Sequence, residues 1–237
     1  VQADAILNVD NAATITVQDN IQVLGTGKLI LNNNTSLLQN NSSATNTGNI
    51  KYRRNATPMR QYEFTYWGAP VVGQVLNVFS PLTLADKFYS YNANVGVNNW
   101  VIENQNNVMM PGKGYAIRAP QGYTTTPQVF SGEFIGVPNN GNISANVAGF
   151  NPALLNYNLL TNPYPSAINV ITLLDNTNLG TLYFWTHNSA ITNNVFTSSD
   201  YARRTRTTGI AAVTGGTAPG LNIAAGQAFF ASAGTTT

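Results

Sequence analysis

The chain has 237 residues, of which 43% are hydrophobic and only 8% are charged, with a formal net charge of +2. This size allows one large domain or two small ones with a real core, and the small net charge argues against a nucleic-acid partner. The lack of cysteine excludes disulfides and thiol chemistry. No run of about 18 apolar residues is present, so membrane insertion is not expected.

Short segments of alternating apolar and polar residues open the chain. Thr14–Val17, 21–24 and Lys28–Leu31 each have the period of two that indicates a strand. Turns rich in Asp, Asn and Gly separate them. The tight, regular spacing predicts solenoid-like or meander strands over residues 1–50.

The rest of the chain contains three sequence blocks twice, in the same order. In the first copy they lie at 66–70, 88–92 and 111–117, and in the second at 161–165, 184–188 and 225–231. The first two pairs are spaced similarly, and the third is farther apart, which predicts an insertion between Asn188 and Ala225. We therefore predict two β repeats, at 51–137 and 138–237, packed either as one domain or as two.

One segment after each Pro-rich corner is apolar and short. In the second copy Ser166 suits the N-cap of a short helix, with Ile168, Ile171 and Leu174 on one side. In the first copy Pro-Gly-Lys-Gly-Tyr at 111–115 predicts a tight turn whose glycines adopt positive φ. Little else favours a helix. The predicted fold class is all-β: the N-terminal strands are followed by a β-sandwich or jelly-roll-like region with an internal duplication and at most one or two short helices.

The blocks resemble a known family. Asn-Pro-Tyr-Pro at 162–165 and Gly-Lys-Gly-Tyr at 112–115 are the most specific. They are similar to the β-rich region that precedes the C-terminal sorting domain in Bacteroidota (Flavobacterium-like) surface proteins exported by the type IX secretion system. The resemblance implies an extracellular or cell-surface location after removal of a signal peptide, and it implies no catalytic residues. Where a sorting domain would follow, the sequence ends at 234–237. Either the sequence stops short of that domain, or the domain is removed at maturation, which would leave a small subunit suited to polymerisation.

No pattern in the sequence points to catalysis. The only histidine is His187, no Gly-x-Ser-x-Gly motif is present, and the nine acidic residues are scattered singly. Glu63 and Glu103 are one pair that could meet across a cleft, as glycoside hydrolysis requires. We expect no catalytic residues and no enzyme activity.

Calcium is the only metal that the sequence suggests. Asp175, Asn176 and Asn178 offer oxygen ligands near one another, but the further carboxylates that complete such sites are missing. An Asx-turn explains the same residues. We therefore expect no cofactor, with calcium as the alternative at these three positions.

Aromatic residues are plentiful, at 11 Tyr, 10 Phe and 3 Trp. Most should lie in the core of a sandwich, Trp67 and Trp185 among them. An exposed row would instead stack on sugar rings, and the candidates for glycan stacking are Trp100, Tyr123 and Tyr91.

The composition favours association between copies. A nearly uncharged, Asn-rich surface gives little electrostatic repulsion, and open strand edges can pair with other chains. The first function hypothesis is a self-associating filament or surface-layer subunit, with Val1, Ile6, Leu7 and Val9 in a donated strand. The alternative is an adhesin or carbohydrate-binding module with surface glycans as partners.

Two basic clusters have two interpretations. Residues 51–54 and 203–206 each hold three basic side chains. They could be charges that protect solvated edge strands from aggregation, or they could contact an anionic glycan or a neighbouring subunit.

Overall fold

The computed structural model describes residues 1–97, 99–148, 157–192 and 195–233. The sequence end at 234–237, where the resemblance places a following sorting domain, lies outside these residues. The described part of the chain is all-β with two short α-helices, as the sequence predicts. None of its helices is long and apolar enough to cross a bilayer.

The elements are numbered in chain order. They are β1 (Ile6–Val9), β2 (Thr14–Val17), β3 (Lys28–Leu31), β4 (Ser36–Gln39), β5 (Ile50–Asn55), β6 (Phe64–Trp67), β7 (Val71–Val72), α1 (Leu76–Phe79), β8 (Phe88–Tyr91), β9 (Trp100–Ile102), β10 (Tyr115–Arg118), β11 (Ser131–Pro138), β12 (Tyr157–Thr161), β13 (Ile168–Asn169), α2 (Val170–Asp175), β14 (Leu179–Trp185), β15 (Tyr201–Arg204), β16 (Gly209–Ile210), β17 (Asn222–Ile223) and β18 (Ala228–Ala233).

The N-terminal strands are the rungs of a parallel β-solenoid. β1 pairs in parallel with β3, β3 with β5, and β2 with β4, whereas neighbouring strands of a meander would be antiparallel. Polar side chains stack from rung to rung: Asn32 Nδ2 donates to Asp10 Oδ1 at 2.5 Å, and Asn40 Nδ2 to Gln18 Oε1 at 2.8 Å. The segment 21–24, predicted as a strand, makes only an isolated bridge at Gln22.

The solenoid continues into the first repeat. β5 also pairs with β11, and β11 pairs with β7, so one five-stranded sheet has the order β1-β3-β5-β11-β7. One cluster of buried side chains runs from Val9 through Tyr52 to Phe134. The core therefore does not divide at the predicted boundary between residues 50 and 51, because β5 contributes to both parts.

The two repeats have the same strand order, as expected for an internal duplication. The first sheet is β6-β10-β8-β9, and the second is β12-β18-β14-β15-β16. Their registers correct the alignment of the blocks: Tyr91 pairs with Trp100, and Trp185 pairs with Tyr201. Tyr91 thus corresponds to Trp185, whereas the sequence blocks align Tyr91 with His187, two positions later. A shift of two keeps each side chain on its own face of the sheet, because side chains alternate with a period of two.

The two repeat sheets face each other in one sandwich. Tyr66 of β6 meets Phe230 of β18 with ring centroids 5.6 Å apart. The outer face of the first sheet packs on the solenoid sheet through Trp67 and Phe134, and the outer face of the second packs on α2 through Val170. The repeats therefore form one packed body.

Two local predictions need correction. The N-cap of α2 is Asn169, whose side chain accepts from the backbone N–H groups of Ile171 and Thr172. Ser166 does not cap this helix, because the intervening β13 pairs with β17. Of the glycines in Pro-Gly-Lys-Gly-Tyr, Gly112 has φ of +79°. Gly114 is needed instead for close approach, since a Cβ there would lie 2.7 Å from Leu159 Cγ.

Candidate functional site

A layer of aromatic side chains fills the space between the two repeat sheets. Successive rings contact one another at centroid distances of 4.8 to 6.4 Å. This aromatic layer consists of Phe64, Tyr66, Tyr89, Tyr91, Trp100, Tyr157, Tyr183, Trp185, Phe196, Tyr201 and Phe230. Strand alternation places the rings there, because residues two apart, such as Tyr89 and Tyr91, point to the same face.

The duplication extends to the ring contacts in this layer. Tyr91 meets Trp100 edge to face at 5.2 Å, and the corresponding Trp185 and Tyr201 meet edge to face at 4.9 Å. A second pair is also repeated. The ring centroids of Phe64 and Tyr89 lie 5.6 Å apart, and those of the corresponding Tyr157 and Tyr183 lie 5.3 Å apart. The repeats therefore carry matching aromatic pairs, which face each other across the sandwich.

Two open clefts remain beside these pairs. The first cleft has a volume of about 520 Å³ and the second about 460 Å³. Trp100, Ser198 and Tyr201 line both, so the clefts are neighbours that share a wall. The first is lined by Tyr91, Trp100, Tyr157, Tyr183, Ser198, Ser199, Tyr201, Arg203, Val213 and Phe230. The second is lined by Phe64, Tyr66, Tyr89, Trp100, Ala116, Trp185, Phe196, Thr197, Ser198 and Tyr201.

The polar groups of the clefts are mostly uncharged hydroxyls. The Tyr66 and Tyr201 hydroxyls lie 2.6 Å apart, and burial raises the pKa of Tyr66 well above its usual value. Burial also raises the pKa of Tyr91 and of Tyr183, so these groups stay neutral near neutral pH. Arg203 is the one charged side chain among the lining residues of either cleft. Such a surface suits a neutral ligand with both apolar faces and hydroxyls.

The structure brings two of the three predicted stacking residues together. Trp100 is 42% exposed and lines both clefts, and Tyr91 lines the first. Tyr123 lies elsewhere: its hydroxyl donates to the Val129 carbonyl at 3.1 Å, and its ring packs against the buried cluster that the solenoid shares with the first repeat. Trp67 is buried as expected, but Trp185 lines the second cleft.

Sequence reasoning missed several lining residues. Tyr183, Tyr201 and Phe196 were not among its candidates, although all three line a cleft. Tyr183 could have been found, since it precedes Trp185 by two positions and must share its face. The places of Tyr201 and Phe196 depend on pairings that only the fold reveals.

The candidate carboxylates stand in separate ion pairs. Glu63 pairs with Arg60 at 3.1 Å, and Glu103 pairs with Lys113 at 2.7 Å. Neither carboxylate lines the aromatic clefts. The arrangement of two facing acids is therefore not found at this site.

His187 is held by hydrogen bonds within the protein. Its Nδ1 lies 3.0 Å from Thr57 Oγ1, and its Nε2 lies 3.1 Å from both Thr65 Oγ1 and the Phe64 carbonyl. The side chain is buried, and burial lowers its pKa below the usual value. The imidazole thus joins the second repeat to the first as a neutral structural group.

This burial predicts a pH-dependent stability. Below the unfolded-state pKa of about 6.5, the unfolded chain binds a proton that the folded His187 resists, so stability falls as the pH is lowered through that value. We expect Tm to drop by a few degrees between pH 7.5 and pH 5.5, at about 2–4 °C per kcal/mol. His187→Gln should flatten this part of the profile; an equally steep profile in the variant would contradict the assignment.

Two of the three calcium candidates, Asp175 and Asn176, have partners of their own. Asp175 forms an ion pair with Arg206, and the Asn176 side chain donates to the Thr172 carbonyl at 2.8 Å. No group of three or more His, Cys, Asp or Glu side chains that could hold a metal occurs among the described residues. The Asp175 carboxylate thus faces a cation that would compete with calcium.

The predicted donor strand is folded onto its own chain. The Val1 ammonium donates to the Gln22 carbonyl at 2.5 Å, β1 pairs with β3, and Val9 is buried. The segment thus pairs within its own chain, because the alternation that makes it a good strand also fits it to the solenoid. Donation of this strand to another copy stays a prediction. Ile6 and Leu7 remain 61% and 46% exposed on this edge strand.

The two basic clusters have different surroundings: the first makes contacts within the solenoid sheet, and the second reaches a cleft. Lys51 and Arg53 both pair with Glu133, at 2.8 and 2.9 Å. Arg54 is buried and donates to the side chain of Asn33. In the second cluster Arg203 reaches the first cleft. The first cluster therefore serves the solenoid sheet, and the second borders the aromatic layer.

Comparison with known proteins gives a family but no characterised relative. Searches of the curated proteins and of the solved structures each return no match. A family model described as a domain of unknown function, DUF8693, matches residues 1–237. The chain therefore belongs to the DUF8693 family.

Proposed function

We propose that this protein is a carbohydrate-binding adhesive module that binds glycans in the two aromatic clefts. The observation that carries the proposal is the pair of neighbouring clefts, lined by matching aromatic pairs from both repeats. Aromatic rings offer flat apolar faces for the C–H face of a sugar, and the surrounding hydroxyls can bond its polar edge.

The chemistry of the clefts limits the class of oligosaccharide that they can bind. Tyr91, Tyr183 and Ser199 in the first cleft supply neutral hydroxyls that both donate and accept. Arg203 adds a single positive charge at the rim. We therefore expect neutral oligosaccharides, or ones with a single acidic group, to bind better than highly charged polyanions.

A glycan array followed by calorimetry tests the proposal. Labelled protein should bind a limited set of oligosaccharides, and binding should change the tryptophan fluorescence, because Trp100 and Trp185 line the clefts. An array without hits across neutral and acidic glycans, with no change in fluorescence, would refute it.

The second candidate function is a self-associating filament or surface-layer subunit. The observation that favours it is the edge strand β1, which pairs only with β3 among the described residues and exposes Ile6 and Leu7. An apolar strand edge can pair with another copy. This was the first hypothesis from the sequence, and the clefts now favour glycan binding over it.

Charges on β1 test this second candidate. Wild-type protein should form filaments visible by negative-stain microscopy, and Ile6→Lys/Leu7→Lys should abolish them by placing charge on the edge. Val78→Lys is the matched control, because Val78 is equally exposed but lies in α1. The candidate fails if the wild type forms no filaments or if the double variant still does.

We further propose that the protein works outside the cell. The low charge and the motif resemblance to type IX exported surface proteins support this location. Fractionation of the source cells, with detection in the medium or on intact cells, tests it. Recovery only from the cytoplasm would overturn it.

A further inference from the structure

The two repeats differ at one edge of their sheets. In the second repeat, β15 is covered by β16, with Arg203 opposite Ile210. In the first repeat, the corresponding strand β9 is the last in the order β6-β10-β8-β9, and no described residue pairs with its outer side. Within the described part of the chain, the second repeat thus has an edge strand that has no counterpart in the first.

The backbone of β9 is oriented to receive such a strand. The Glu103 N–H donates to the Phe88 carbonyl, and the Asn92 N–H donates to the Asn99 carbonyl. Because antiparallel pairs alternate, Val101 also bonds to β8, while the N–H and C=O of Trp100 and Ile102 point away from it. Ile102 corresponds to Arg203, the residue that pairs with β16 in the second repeat.

The side chains of β9 also leave the edge unprotected. Trp100, Val101 and Ile102 are all exposed, Ile102 at 62%. Edge strands are usually blunted by charges, prolines or bulges, but residues 88–102 contain no charged side chain and no proline. A strand of the same composition would meet no like-charge repulsion there.

We propose that β9 is a self-pairing edge, through which two copies of the chain associate by antiparallel β9–β9 contact about a two-fold axis. An isologous contact of this kind closes after two copies. With the axis at Val101, Trp100 of each copy faces Ile102 of the other, so all four outward-facing groups of each strand are bonded. Asn99 then faces Glu103, which brings no two like charges together.

A cysteine crosslink tests the register. The chain contains no cysteine, so Val101→Cys provides a single thiol. At the axis the two Val101 residues form a non-hydrogen-bonded pair with Cα atoms about 4.5 Å apart, within disulfide range. We expect roughly tenfold more disulfide-linked dimer under mild oxidation than for Val78→Cys, a control in α1 that is more exposed than Val101.

A proline variant tests the backbone contact. Ile102→Pro removes the outward N–H without removing a bond to β8, whereas Ile102→Thr keeps it. In the Val101→Cys background, the proline should abolish crosslinking and the threonine should preserve it, with folding checked by circular dichroism. The proposal is overturned if Val101→Cys and Val78→Cys crosslink equally. It is also overturned if Ile102→Pro in the Val101→Cys background crosslinks as much as Val101→Cys alone. If the proline variant does not fold, the comparison of the two cysteine variants decides. Ile6→Lys/Leu7→Lys should leave this dimer intact, which separates it from association through β1.

Discussion

Trp100→Ala is expected to weaken glycan binding by about fivefold or more, because loss of an aromatic anchor from a binding surface costs more than about 1 kcal/mol. Trp100 lines both clefts and meets Tyr91, Tyr66 and Phe230 within the aromatic layer. Calorimetric titration with the best oligosaccharide from the array measures the change.

Two variants make this result specific. Tyr123→Ala should bind as the wild type does, since Tyr123 lies outside both clefts. Trp100→Phe should retain part of the affinity, because a flat ring remains. Because Trp100 is partly exposed, its replacement should lower Tm less than that of a core ring such as Trp67. Unchanged affinity in Trp100→Ala would place the binding site away from the clefts.

Gly114→Val is expected to destabilise the fold by about 3 kcal/mol, the upper part of the range for overpacking. A Cβ at this position would lie 2.7 Å from Leu159 Cγ and 3.1 Å from Ala228 Cβ, both in the second repeat. The substitution therefore pushes the two sheets apart. Thermal unfolding should show a Tm lower by about 6–12 °C.

The same substitution at Gly220 is the matched control. No atom lies within 4 Å of a Cβ built at Gly220, and its φ is not positive. Gly220→Val should therefore leave Tm within about 2 °C of the wild-type value. Equal effects at the two positions would mean that the close contact at Gly114 does not hold the repeats together.

Local patterns were sufficient for two of the three predicted N-terminal strands and for the repeat, but not for 21–24, which makes only an isolated bridge. The alternation at Thr14–Val17 and Lys28–Leu31 predicts strands that the structure confirms, because a strand with one buried face must alternate. The duplicated blocks predict two sheets of the same strand order. The block alignment was wrong by two residues, since a period of two makes such a shift invisible in sequence.

Caps and close contacts were harder to predict. Ser166 and Asn169 both have side chains that can cap a helix, and the choice depends on whether Ile168 joins a strand. Likewise, the sequence does not distinguish the two glycines of one motif. Gly112 is needed for the positive φ of a turn, and Gly114 is needed for the close contact with Leu159. Each distinction rests on a partner more than 40 residues away in the chain.

By itself the sequence determined the all-β class and the aromatic character of the protein and predicted the duplication, because composition and periodicity follow from which faces are buried. It left open whether the N-terminal strands form a solenoid or a meander, and the parallel pairing of the structure decided for the solenoid. Only the tertiary structure decided that the two repeats face each other, so that Tyr91, Trp100, Trp185 and Tyr201 meet between them. It also decided that no strand among the described residues covers β9 as β16 covers β15. Both depend on how distant segments pair, which a local pattern does not encode.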